Sequence, residues 1–315
     1  MSKFAVIGSN SFSGSSFIKY LLKNGHEVMG ISRSIEPDQV FLGYRREKLE
    51  NFSFHQLDLN KNLPEVSSTL GDYRADYIVN FAAQGMVAQS WEHPSDWFQT
   101  NTVATVKLHD ELRKFDWLKK YIHISTPEVY GTCEGHVLES QPFNPSTPYA
   151  VSRAAADMSL LSFIKAYNFP VVFTRAANVY GEHQLEDGAY ATVVGIFQKL
   201  YREEKPLTVT GDGEQRRDFT HIEDIVDALI RLGWMLDSNR SSKVSGQTFE
   251  LGRGKNFSIN ELTEMFGETD VEYIPARDGE YDYTLADSSK AKELLGWNPT
   301  LDISDYISEV IDDKS

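Results

Sequence analysis

Two stretches carry residues whose types and spacing could do chemistry. The first is Gly8-Ser9-Asn10-Ser11-Phe12-Ser13-Gly14. It lies between an apolar run, Phe4-Ala5-Val6-Ile7, and a segment of helical periodicity with Phe17, Ile18, Leu21 and Leu22 on one face. A turn of this kind offers unpaired N–H groups and the positive end of a helix dipole to a pyrophosphate. Glycines stand at its first and seventh positions, and Ser11 takes the place of the usual middle glycine, where a side chain should alter the approach of the phosphates. The second stretch is Tyr149-Ala150-Val151-Ser152-Arg153. It opens a helix that continues to about Tyr167, so phenol and guanidinium lie on one face, a turn apart. A phenol has an unperturbed pKa near 10, and a fixed positive neighbour lowers it.

The intervening elements must position these groups. Gly25 stops the first helix, and Glu27 to Ile31 forms a second strand, completing a strand-turn-helix-strand unit of about 30 residues that suits a dinucleotide. Ser32 and Arg33 follow, with no acidic residue to bind a ribose 2′-hydroxyl. Arg33 can instead pair with a 2′-phosphate, which points to NADP, with NAD the alternative. A third strand covers Phe52 to Leu57, and Asp58 and Leu59 end it where an adenine could be gripped. Ala75 to Ala83 reads as a strand, and Ala82, Ala83 and Gln84 at its carboxyl end leave room for a ligand. Trp97 to Phe115 reads as one long helix. Tyr121 to Ile124 is a strand that delivers Ser125, Thr126, Pro127, Glu128 and Tyr130, and Pro170 to Arg175 is a further one. After Gly181 the alternation breaks down. The expected architecture is α/β: a doubly wound parallel Rossmann sheet over residues 1–180, to which about 205–235 return, and a smaller mixed C-terminal lobe over 181–315.

Composition narrows the partners. With 315 residues the chain can bury a large core. Its net charge of −15 argues against a nucleic-acid binder, which needs a basic face. The single cysteine, Cys133, excludes a disulfide framework and a zinc cluster, and no metal site is expected. No signal peptide is evident and no apolar run is long enough to span a bilayer, so the chain reads as soluble and cytoplasmic, with no membrane partner.

By Tyr149 the pattern resembles the extended short-chain dehydrogenase/reductase family, in particular its nucleotide-sugar epimerases and 4,6-dehydratases. The segments that carry the likeness run in order over nearly the whole chain: Gly8 to Gly14, Asn80 to Gln84, Ser125 to Gly131, Pro148 to Arg153, Asn178 to Gly181, Gly211 to Asp218, Ala276 to Glu280, and Leu294 to Trp297. The resemblance implies that a sugar hydroxyl, usually at C4, is oxidised by hydride transfer to a nicotinamide. Tyr149 matches the base, and Thr126 the residue that orients the sugar hydroxyl and the tyrosine. Arg153 stands where the family normally has lysine, keeping the charge on a bulkier, planar group that can still reach the nicotinamide ribose. Gln84 borders both cofactor and substrate. Asn178, Arg217 and Arg277 match positions that hold the substrate's diphosphate, and Arg216 is a further candidate.

Glu128 discriminates between activities. In dehydratases of this family a glutamate here removes the C5 proton after C4 oxidation, and an acid, often an aspartate at the position of Pro127, helps expel the C6 hydroxyl as water. Proline can neither donate nor accept a proton, but members that resemble GDP-mannose dehydratase also lack the aspartate there, and the segment Ala82 to Pro94, with Gln84, Ser90 and Trp91, looks more like that branch. The leading expectation is therefore an NAD(P)-dependent 4,6-dehydratase of a nucleotide-diphosphate hexose. A 4-epimerase or 4-oxidoreductase, needing Thr126 and Tyr149 but not Glu128, is the second. A dinucleotide- or sugar-nucleotide-binding protein with little catalysis, suggested by the departures at Ser11, Pro127 and Arg153, is the third. Relatives pair the two long helices into a four-helix dimer interface, so a homodimer is implied.

Overall fold

The computed structural model of the chain describes residues 1–133, 135–188, 190–235, 244–276 and 281–313. Its strands are β1 (Lys3–Ile7), β2 (Glu27–Ser32), β3 (Phe52–Gln56), β4 (Tyr77–Asn80), β5 (Lys120–Ser125), β6 (Val171–Ala176), β7 (Val179–Tyr180), β8 (Leu207–Thr210), β9 (Arg216–Asp218), β10 (Thr220–His221), β11 (Thr248–Leu251), β12 (Asn256–Ser258) and β13 (Val271–Ile274). Seven of them form one sheet in the order β11-β6-β5-β4-β1-β2-β3. Every pairing in it is parallel. Parallel neighbours need crossover connections, and these place helices on both faces. The chain winds outward from β1 through β2 to β3, then returns to the other side of β1 for β4. The crevice between the carboxyl ends of β1 and β4 is thus the place where such sheets bind ligands.

Alternation along β1 shows how both faces become core. Phe4 and Val6 pack with Phe17, Ile18 and Leu21 of α1 (Phe12–Lys23) and with Ile225 and Leu229 of the helix Ile222–Met235. Ala5 and Ile7 face Val66 and Leu70 of α2 (Leu63–Tyr73) on the other side, in a cluster that includes Leu108, Leu112 and Leu160. The expected strands and first helix form where the periodicity placed them. Gly25, at φ +73°, takes the left-handed position just past the end of α1. The outermost strand, β11, comes from the stretch Ser238 to Asn256, in which the sequence carried no readable site.

One expected element differs. The single helix read from Trp97 to Phe115 is a short α-helical turn, α3 (Pro94–Trp97), then a π-helical segment, Phe98–Ala104, then α4 (Thr105–Leu112). The wide π turn accompanies a job for the buried Asn101. Its amide spans the Gln84 backbone, accepting from N at 2.7 Å and donating to O at 3.0 Å, and also donates to Ser152 Oγ at 3.0 Å. A periodicity count cannot anticipate one extra residue in a turn.

The chain from β7 onward builds a second core. Tyr180, Val194, Phe197, Val209, Phe266 and Ile307 are buried together, drawn from β7, β8, α6 (Val193–Arg202), the turn after the helix Ile259–Glu264, and the helix Ile303–Asp312. Asp218 ties this region to the sheet. It is fully buried, and its carboxylate accepts the backbone N–H groups of Arg253 (2.9 Å), Gly254 (3.0 Å) and Ala286 (3.1 Å). Among the described residues no helix is long and apolar enough to cross a membrane, and no group of three or more His, Cys, Asp and Glu is arranged to hold a metal.

Asp218→Ala would strand three buried donors. An unmade buried hydrogen bond costs about 1–3 kcal/mol, so the variant is expected to lose about 3 kcal/mol or more of stability, read as a lower midpoint in urea unfolding.

Candidate active site

The glycine turn fits a dinucleotide for a reason visible in its packing. Gly8 sits at φ +85°, and a Cβ there would lie 2.6 Å from Ala82 N. A Cβ on Gly14 would lie 2.4 Å from Gly8 O. These two positions exclude side chains so that β1, α1 and the end of β4 can close on one another. Ser11 needs no such exclusion. It is the N-cap of α1: its hydroxyl donates to Gly8 O (2.7 Å) and accepts from Gly14 N (3.1 Å). The hydroxyl is thereby folded into the turn. The N–H groups of Phe12 and Ser13, in the first turn of α1, are the ones such a cap leaves for an anion.

Other expected cofactor residues are distributed around this crevice. Ala82 N donates to Asn80 Oδ1 at 3.0 Å, holding the segment after β4 open. Ala83 is exposed. Gln84 bridges to the lobe, donating to Tyr190 Oη at 3.1 Å and accepting from Arg33 Nη1 at 3.3 Å. Arg33 is exposed at the end of β2. Asp58 Oδ1 accepts from Asn60 N (2.8 Å) in a local turn, while Leu59 is buried in the sheet core. The sequence reading missed Asn10. Its backbone N donates to Ser32 Oγ (3.1 Å) and its amide to the carbonyls of Ser34 (3.1 Å) and Ile35 (3.0 Å), fixing the first turn to the loop after β2.

The proton-handling groups converge from two elements. Thr126 follows β5 and caps the 3₁₀ turn Pro127–Tyr130, which presents Glu128. Tyr149 and Arg153 stand on α5 (Pro148–Tyr167), whose start is set by Thr147 accepting from Ala150 N (3.2 Å) and by Pro148 at the first turn. Thr126 stands near enough to the Tyr149 phenol to favour its ionised form. Arg153 is buried and donates through Nη2 to Ile124 O. Its Nε is buried without an acceptor among the described residues, a donor that suits the ribose contact implied for it.

The electrostatics correct one expectation. Arg153 was to bring the phenol down, yet Tyr149 is pushed up to about 12. Burial is the main cause, the charge of Glu128 adds to it, and Arg153 and the Thr126 hydroxyl pull the other way without prevailing. Glu128 is raised as well, by burial, against the hydrogen bond from Tyr281 and the charges of Arg217 and Arg153.

Glu128 and Tyr149 stand in the wall of a cavity of about 290 Å³ shared with Asn178, Arg217, Thr192, Gln215, Met86 and Tyr281. Arg217 is buried and lies over the Tyr281 ring, 4.5 Å from its centroid. Asn178 Nδ2 donates to Thr284 Oγ1 at 3.3 Å. Arg216 does not join them. Its guanidinium is held by Asn256 Oδ1 (3.0 Å) and Glu261 Oε2 (2.7 Å), an ion pair within the lobe. Arg277 lies outside the described residues. Tyr281, whose hydroxyl donates to Glu128 Oε1 at 2.7 Å, was not singled out from the sequence. Its only signal was its place, four residues after Arg277 and directly after a matched segment.

Fold and site place the protein among the extended short-chain dehydrogenase/reductases that transform nucleotide sugars, enzymes dependent on a nicotinamide dinucleotide. The chain belongs to the GDP-mannose 4,6 dehydratase family, whose profile matches residues 6–310. It is 29% identical over 314 residues to the UDP-glucose 4-epimerase of Mycolicibacterium smegmatis, covering 98% of this chain and 96% of that one. It is 27% identical over 338 residues to the dTDP-glucose 4,6-dehydratase of Xanthomonas campestris pv. campestris, covering 99% and 93%. Among solved structures it resembles the Bacillus cereus UDP-glucuronic acid 4-epimerase in complex with UDP-glucuronic acid and NAD, with a TM-score of 0.87, 30% identity, and coverage of 99% of this chain and 98% of that one.

Behind the site, Arg175 lies between two buried carboxylates, Asp157 Oδ2 at 2.7 Å and Glu250 Oε1 at 3.2 Å. Burial raises Asp157, but His123 and Arg175 outweigh it and hold the group at about 2. Burial raises Glu250 to about 7 despite Arg175. A raised native pKa stabilises the fold fully below the unfolded value, near 4.5, and that stabilisation is lost as pH rises through about 7. Asp157 has the opposite sign and matters only as pH falls toward 2. Glu250→Gln keeps an acceptor for Tyr130 and Arg175 without the charge. Thermal melts of the variant are expected to lose the decline in stability between about pH 4.5 and 7 that the parent shows.

Proposed function

We propose that the protein is a 4,6-dehydratase of a nucleotide-diphosphate hexose. The observation that carries this reading is Glu128: a carboxylate beside Tyr149 in the cavity wall, with Oε2 buried and without a hydrogen-bond partner among the described residues. Oxidation at C4 needs no such group, and its charge makes the phenol of Tyr149 harder to ionise. Removal of a C5 proton beside a new C4 ketone does need one. A bound nicotinamide supplies the site that takes hydride from the sugar and returns it. Tyr149 accepts the C4 hydroxyl proton, Thr126 orients hydroxyl and phenol, Arg153 positions the cofactor's ribose, and Glu128 removes the C5 proton. Asn178, Arg217 and Arg277 hold the diphosphate, to which guanidinium groups are well matched.

NAD is the better-supported dinucleotide, since the Bacillus cereus relative contains it. The NADP reading rests on Arg33, whose guanidinium bonds Gln84. The dinucleotide body is taken to be residues 1–180 with the helix Ile222–Met235 and the strand β11, and the remainder to form the substrate lobe; of the stretch 205–235 expected in the body, β8 instead pairs with β13 and packs in the second core. A 4-epimerase is the second reading, favoured by the names of the relatives. Incubation with a panel of nucleotide sugars separates the two by mass: loss of one water marks dehydration, an isomer at unchanged mass marks epimerisation. Glu128→Gln is expected to lower dehydration by about 100-fold or more, whereas an epimerase would keep most of its activity.

The homodimer follows the same line. Val103 of the π segment and Val151, Met158 and Leu161 of α5 are apolar and exposed, Met158 at 61%. The π segment packs beside α5, so these side chains form one face of a helix pair, which a second copy would cover. Met158→Glu is expected to halve the mass seen by sedimentation equilibrium.

A further inference from the structure

Elimination of water needs a proton for the departing hydroxyl, and the position beside Glu128 from which one could have come holds Pro127, which has none to give. The structure brings another donor to the same carboxylate from 153 residues further along the chain. Tyr281 is 6% exposed, stands in the wall of the same cavity as Glu128 and Tyr149, and donates its hydroxyl to Glu128 Oε1 at 2.7 Å. The Arg217 guanidinium lies 4.5 Å from the centre of its ring, so a residue expected to hold the substrate's diphosphate also fixes the phenol.

We propose that Tyr281 is the acid that protonates the leaving C6 hydroxyl, working as a dyad with Glu128; the inference rests on the dehydratase reading. The step is redox-neutral. The C5–H bond breaks and its proton passes to Glu128, its electron pair forms the C5–C6 double bond, and the C6–O bond breaks. Once protonated, Glu128 no longer accepts from Tyr281 and can donate to it. The hydrogen bond reverses, the hydroxyl of Tyr281 turns its own proton onto the departing oxygen, and water leaves. The dyad ends as it began, a carboxylate and a neutral phenol. The proton that C5 later receives comes from solvent, offsetting the one that Tyr149 took from the C4 hydroxyl. A free phenol is a stronger acid than water, and protonation of Glu128 removes the charge that opposes ionisation of Tyr281, so the phenol's proton can pass to a hydroxide-like leaving group.

The test is Tyr281→Phe, which removes one oxygen and keeps the ring under Arg217. Its melting temperature and its calorimetric affinity for the nucleotide sugar are expected to match the parent's. Water loss, followed by product mass, is expected to fall about 100-fold or more. In deuterium oxide, recovered substrate should still gain deuterium at C5 within a few-fold of the parent's rate, because Glu128 still removes that proton. Water loss within a few-fold of the parent overturns the proposal. So does parallel loss of C5 exchange, which would make Tyr281 only a clamp on Glu128. If the parent protein returns isomers and never loses water, the dehydratase reading itself has failed, a result seen without the variant.

Discussion

The site depends on how one helix is clamped to the sheet. Tyr149, Arg153 and Asp157 occupy successive turns of α5 on one face. Asp157 Oδ2 accepts from Ser125 Oγ at 2.8 Å and from Arg175 Nη2 at 2.7 Å, and Arg175 reaches on to Glu250 of β11. Arg153 is fixed in turn to the carbonyl of Ile124. The carboxyl ends of β5, β6 and β11 are therefore tied to α5 by charges that cannot be left unpaired at such burial. Thr126 and Glu128 follow β5 by one and three residues, so the same clamp that holds α5 fixes the distance between phenol and carboxylate.

That arrangement explains the electrostatic character of the cavity. Two acids, Glu128 and Tyr149, and a second phenol, Tyr281, share one small volume, and burial makes each resist ionisation; the charge of Glu128 adds to this at both phenols, whereas the hydrogen bond from Tyr281 eases the ionisation of Glu128. Arg153 and Arg217 moderate the effect without reversing it. The network behind α5 splits its two carboxylates the opposite way, one held well down and one up near 7, and it remains structural.

The sheet was legible from its alternation and apolar runs because local pattern determines which face of a strand is buried. The turn at Gly8 and Gly14 was legible too, and the structure gives the reason in the backbone atoms that a Cβ would strike. The π segment at Phe98–Ala104 was not, since the contacts that accompany it run from Asn101 to Gln84 and Ser152 across space. Ser11 shows the limit in another way: in the sequence it was a missing glycine, in the fold it is a helix cap.

By itself the sequence determined the class of chemistry. Motifs that resemble a known family stand in order along a βα alternation, Gly8 to Gly14, then Ser125 to Gly131, then Pro148 to Arg153, and residue type and order are fixed before the chain folds. Only the tertiary structure decided which charges those groups feel and which partners they meet. Tyr281 is far from Glu128 in the chain and 2.7 Å from it in the fold, Arg216 is turned away by Glu261, and burial overrides the cation four residues from Tyr149. Desolvation and long-range contact arise only when the chain has closed on itself, and no window of sequence contains them.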